Sequence, residues 1–169
     1  MPARDDYILR FIELLAKAVA QATKLRQDGK LEQALIVLVA AQERLFARPT
    51  PEFAGLPLDE QLRLLTVSEP PASARIKCLG YGSLLREAGL IYQARGRPEL
   101  ATSAFELSLQ ITLTVAVTAN ATDAELTASV DELLSRVPVE LLHEPTKELL
   151  ETYTTLDPAG PTPPGDGHA

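Results

Sequence analysis

Glu140 and His143 form an E-x-x-H pair, the spacing that sets a carboxylate and an imidazole on one helical face and that di-iron carboxylate bundles use twice, together with two further carboxylates. The only other histidine, His168, lies near the C-terminus, so a complete site of that kind needs two chains. His143 is followed by Glu144, but position 147 is Lys147, and the H-E-x-x-H pattern of zinc proteases is absent. Cys78 is the one cysteine. It excludes an internal disulfide framework and any multi-cysteine zinc or iron-sulfur site within a single copy. Beside Leu79 and near Ile76 it reads as a buried small hydrophobe; Lys77 is placed to lower its pKa, but no histidine is near in sequence. Gly80-Tyr81-Gly82 lacks the third glycine, the preceding strand and the lysine of a phosphate-binding loop, so close packing is its reading. Serines and threonines are plentiful but have no recognisable histidine base. These residues point to no catalytic, metal or cofactor site, and the chain is expected not to be an enzyme.

The elements that would have to position any site are more legible. The chain has 169 residues, 46% hydrophobic and 23% charged, with a formal net charge of -7. That suits one globular domain able to bury about two-thirds of its unfolded surface. The acidic balance argues against nucleic acid as a partner. No run approaches a membrane-spanning length, so no membrane partner is expected. Phe11, Ile12, Leu14 and Leu15 follow Arg4 and Arg10 in a signal-like order, but Glu13 and Lys17 interrupt them, and the reading is a mature cytoplasmic chain.

Apolar residues at three- and four-residue steps predict helices throughout. Ile8, Phe11, Ile12, Leu15, Val19 and Ala22 predict a helix from Tyr7 to Gln27, with Asp5 or Asp6 as cap; Gly29 breaks it, and Leu31 to Ala47 turns back as the second arm. Pro49, Pro51, Pro57, Pro70 and Pro71 mark a linker, 48–71, around a short helix from Leu58 to Leu65. A second hairpin, 72–118, folds at Gly96 and Pro98. Its return arm holds a strand-like alternation, Leu107, Leu109, Ile111, Leu113, Val115 and Val117, read as helix because no convincing partner strand exists. Thr122 and Glu125 fit a capping box, and capping helices are expected over 122–156, with Pro138 and Pro145 dividing them. Residues 157–169, rich in proline and glycine, are expected to form a disordered tail.

Gly29-Lys30-Leu31-Glu32-Gln33-Ala34 recurs as Gly96-Arg97-Pro98-Glu99-Leu100-Ala101 about two 34-residue repeat lengths further on. In the second copy Leu85, Ala88, Gly89, Tyr92, Gly96, Ala101 and Phe105 follow the signature of the tetratricopeptide repeat, which this unit resembles. Ser108 stands where alanine is usual and Leu113 where proline would close the repeat; the first copy matches more loosely, through Ala22, Gly29, Ala34 and Ala41. Asp6 to Arg10 and the order hairpin, linker, hairpin also look like a family of small bacterial helical proteins without an assigned activity. The resemblance implies an all-α, right-handed array of antiparallel helical hairpins, with Arg26, Arg86 and Gln93 projecting into a partner-binding groove.

Charge is divided along the chain. Residues 1–97 carry 14 basic and 11 acidic side chains, and residues 98–169 carry 2 and 12. That polarity reads first as a solvated acidic face that aids solubility; the other reading is that it steers a basic partner or aligns subunits head to tail. The expected function is noncatalytic binding of a protein or peptide, with self-association as a homodimer covering the ends of a short array. The alternatives are a small-ligand carrier or enzyme with an apolar cavity between the hairpins, and a chaperone-like adaptor.

Overall fold

A computed structural model describes residues 2–156, so the tail expected over 157–169 lies outside the described residues. These residues form eight α-helices and one short 3-10 turn, with no strand among them. Helices α1 (Pro2–Gln27) and α2 (Leu31–Phe46) make the first hairpin, and α5 (Pro71–Ala94) and α6 (Pro98–Ala119) the second. Between them lie α3 (Thr50–Ala54) and α4 (Leu58–Thr66); α7 (Ala124–Arg136), the 3-10 turn Val139–Leu141 and α8 (Glu144–Thr154) follow. The first helix begins at Pro2, which puts Asp5 inside the first turn instead of at a cap.

Both hairpin corners are closed by the same hydrogen bonds. Gly29 and Gly96 have φ of +75° and +71°, a conformation that costs a residue with a Cβ roughly 1–2 kcal/mol. At the first corner the Lys30 amide donates to the Leu25 carbonyl and the Gly29 amide to Arg26; at the second, Arg97 donates to Tyr92 and Gly96 to Gln93. This Schellman arrangement satisfies carbonyls that a helix end leaves open. The recurrence seen in the sequence is therefore a recurrence of backbone geometry.

Packing runs in order through the stack. The first hairpin rests on α5, α5 on α6, and α6 on α7 and α8. The proline-rich segment belongs to the core. Phe46 stacks on Phe53 at 4.0 Å and meets Tyr81 edge-on at 5.0 Å, while the buried Tyr81 hydroxyl donates to Gln61 Oε1 at 2.6 Å and Gln61 Nε2 donates to the Leu56 carbonyl. The linker expected around one short helix thus holds two, α3 and α4.

The strand-like alternation on α6 has a simple cause. Ile111 belongs to one apolar cluster, with residues of α1, α2, α4 and α5, whereas Leu109 and Leu113 belong to another, with Val130, Leu133 and Leu142. A helix covered on both sides has no polar face, so its helical period vanishes from the sequence. For the same reason α6 is, among the described residues, long and apolar enough to cross a membrane, which corrects the reading that no segment is; 56% of its most apolar window is buried inside the fold. A second correction concerns α7. Its cap is Asp123, whose Oδ1 accepts from the Leu126 amide at 2.9 Å, rather than Thr122.

The seam between α5 and α6 is set by small residues. Ser108 donates its hydroxyl to the Gly82 carbonyl at 2.8 Å, and a methyl group on Gly82 would meet Ser108 and Ile111 at ordinary distances of 3.6 and 3.7 Å. At Gly89 a methyl would lie 2.5 Å from the buried Phe105 ring. Gly82→Ala is therefore expected to leave the unfolding free energy in urea unchanged or raise it by up to about 1 kcal/mol through helix propensity. Gly89→Ala should lower stability by about 1–3 kcal/mol through overpacking, and equal midpoints for the two variants would contradict this account of the seam.

Candidate functional site

Two of the three candidate binding residues are engaged in ion pairs between helices. Arg26 Nε donates to Glu87 Oε1 at 2.7 Å, tying α1 to α5, and the Glu87 side chain is only 2% exposed. Arg86 grips Glu132 of α7 through two bonds, Nε to Oε2 at 2.7 Å and Nη2 to Oε1 at 2.5 Å, and Arg136 shares that carboxylate at 3.0 Å. These bonds hold the Glu132 pKa below its ordinary value and the Arg86 pKa above its own, against the opposing effect of burial. Gln93 is exposed near the end of α5. Arg26 and Arg86 thus join helices to one another.

Glu140 and His143 do not share a helical face. Glu140 lies in the 3-10 turn, and His143 is the N-cap of α8. No group of three or more His, Cys, Asp or Glu suited to a metal ion occurs among the described residues. His143 instead meets Glu106, an acid buried on the apolar α6. Glu106 accepts the His143 amide at 2.7 Å, pairs with His143 Nδ1 at 2.8 Å and accepts the Thr146 hydroxyl at 2.9 Å. Burial pushes the Glu106 pKa upward, but these hydrogen bonds outweigh it and hold the value below the ordinary 4.5. A carboxylate at the first turn of α8 also complements that helix end electrostatically. The sequence offers one signal for this arrangement: Glu106 is the one acid of α6 beyond its first turn, and an acid in the middle of an apolar helix needs partners.

Cys78 is buried, and burial raises its thiol pKa to about 11, opposite to what a reactive thiolate requires. A crevice of about 70 Å³ beside Gly82, Ser108 and Thr112 has room for little beyond water.

A large concavity lies on the first hairpin. It is an open groove of about 550 Å³ between α1 and α2. Tyr7, Phe11, Leu14 and Ala18 recur along one wall at three- and four-residue steps, and Val37 and Ala41 line the other. Leu14 and Tyr7 are 50% and 52% exposed. Arg10, Lys17 and Arg44 also line it; all three are exposed, and no Asp or Glu lines the groove. Among the described residues none of these three cations has a carboxylate partner. The sequence shows the amphipathic α1, but its second apolar stripe merges there with the stripe that packs on α5. The groove can bind an apolar surface flanked by negative charge, and it brings together no acid, base and nucleophile.

Comparison of the chain with family models, with curated proteins and with solved structures finds no match.

The Glu106 contacts give a pH dependence of defined sign. Because the folded-state pKa is lowered, their stabilisation is complete above about pH 4.5, the unfolded value, and is lost as pH falls through the lower folded value. Glu106→Gln should cost about 1–3 kcal/mol at neutral pH, and its difference from the parent should shrink on acidification in chemical unfolding titrations. A difference that stays constant from neutral to acidic pH would contradict the assignment.

Proposed function

We propose that the protein is a noncatalytic binding module, a tetratricopeptide-like right-handed array of helical hairpins that captures a protein or peptide segment in the α1/α2 groove. The groove carries this reading: a half-exposed apolar floor at helical spacing, edged by three cations with no acid among them. Helix-in-groove recognition uses such a surface, with anchors from the ligand at i, i+3, i+4 and i+7 and charges at the margins for orientation. The array itself is supported by the two hairpins with identical glycine corners and by the ordered stacking of α1/α2, α5, α6 and α7/α8.

Self-association belongs to the same proposal, with a homodimer as its smallest assembly. Short arrays expose end faces that a neighbour must cover. The first hairpin has such a face, and Leu9, Ile36 and Val39 add to its apolar surface at 56%, 62% and 41% exposure. A single buried thiol fits a reducing cytoplasm as the place of action.

The test is titration of the isotope-labelled protein with a synthetic amphipathic helix bearing leucines on one face and glutamates on its flanks. Amide shifts are expected on α1 and α2. Leu14→Glu, a change at a half-exposed position, should weaken binding at least tenfold while leaving the fold intact. Shifts scattered over the whole surface, or identical affinity for Leu14→Glu, would refute the groove as the binding face.

A further inference from the structure

We infer that the groove's occupant is the acidic C-terminal end of a second copy of this chain, so that subunits join head to tail. The inference rests on the groove reading and names its partner. Two surfaces of one molecule are complementary. The first hairpin and the pair α7/α8 are separated in the stack by α5 and α6, so the two surfaces lie towards opposite ends. One end presents the apolar floor with Arg10, Lys17 and Arg44. At the other end Val139 and Leu141 project from the 3-10 turn, 46% and 59% exposed, beside Glu140 and just ahead of Glu144.

Charge makes the match directional. Glu140, Glu144, Glu148 and Glu151 are all exposed along the turn and α8. Of the cations nearby, Arg136 is occupied by Glu132, and Lys147 reaches only Glu144, at 3.4 Å. The acidic end therefore keeps an excess of carboxylates, as the groove keeps an excess of cations. Groove-to-groove pairing about a two-fold axis would face three cations with three more, and like charges at an interface are costly. Turn-to-groove pairing inserts Val139 and Leu141 between Leu14 and Ala41 while Glu140 and Glu144 approach the basic margin. Such a contact joins two different patches, so it propagates into an open chain or closes as a ring. It is also screened by salt, because the charges lie at exposed margins where the Debye length is about 10 Å at 0.1 M.

Light scattering on the full chain tests this with two variants, each altered at one half-exposed position. Leu14→Glu spoils the groove and leaves the turn intact; Leu141→Lys spoils the turn and leaves the groove intact. The parent's mean mass should climb with concentration, and association should weaken about tenfold when salt rises from about 0.05 M to about 0.5 M. Each variant alone should remain monomeric, with unchanged circular dichroism. Their equimolar mixture should form a one-to-one dimer that grows no further, since one good groove and one good turn remain. A parent dimer of fixed mass that Leu14→Glu dissolves and Leu141→Lys leaves intact would overturn the inference, as would a mixture that stays monomeric. In either case binding of the acidic synthetic helix to α1 and α2 would preserve the groove reading, whereas its loss would remove both.

Discussion

The close contact between α5 and α6 governs the rest of the structure. Two helices approach closely only where side chains are small, and Gly89, opposite the Phe105 ring, and Ser108, opposite the Gly82 carbonyl, supply that relief. The hydroxyl of Ser108 bonds to the Gly82 carbonyl across the seam, so polar atoms buried by the approach remain satisfied. Phe105 fills the space opposite Gly89, and the Arg136 guanidinium of α7 lies over its ring at 5.4 Å. Everything else is laid against this pair, with the first hairpin and the aromatic cluster on one side and the C-terminal helices on the other.

Polar side chains then fix how the outer layers sit. The Arg26–Glu87 pair joins α1 to α5, Arg86 joins α5 to α7 through Glu132, and Glu106 joins α6 to the start of α8. No side-chain nitrogen or oxygen buried among the described residues lacks a hydrogen-bond partner. A pair between helices specifies angle and register more than it adds to stability, because desolvation offsets much of the attraction. With these groups engaged internally, unengaged charge and exposed apolar surface coincide in the groove on the first hairpin and again, with the opposite sign, at the turn before α8, and the groove underlies the functional proposal.

The glycine corners, the two hairpins and the stripe on α7 were legible in the sequence because each depends on local periodicity or on one backbone conformation. Residues whose roles depend on distant partners were not. Glu106 finds the α8 cap across the fold, and Arg26 and Arg86 resemble ordinary exposed helix residues until α5 and α7 bring carboxylates to them. The E-x-x-H spacing suggested one helical face, but Pro138 and Pro145 bracket it and divide the segment into a 3-10 turn and a new helix. α6 obscured its own period because it is covered on both sides. The groove was not legible, because the sequence shows α1 as amphipathic without showing which apolar positions α2 and α5 leave uncovered.

Native-state hydrogen exchange of the full chain over a series of low urea concentrations tests the primacy of the central seam most directly. Amides of α5 and α6 around Gly82, Gly89 and Ser108 should exchange only through global unfolding, while those of α1, α2 and α8 open at lower free energy with weaker urea dependence. Exchange in α5 or α6 that precedes opening of the first hairpin would contradict the account.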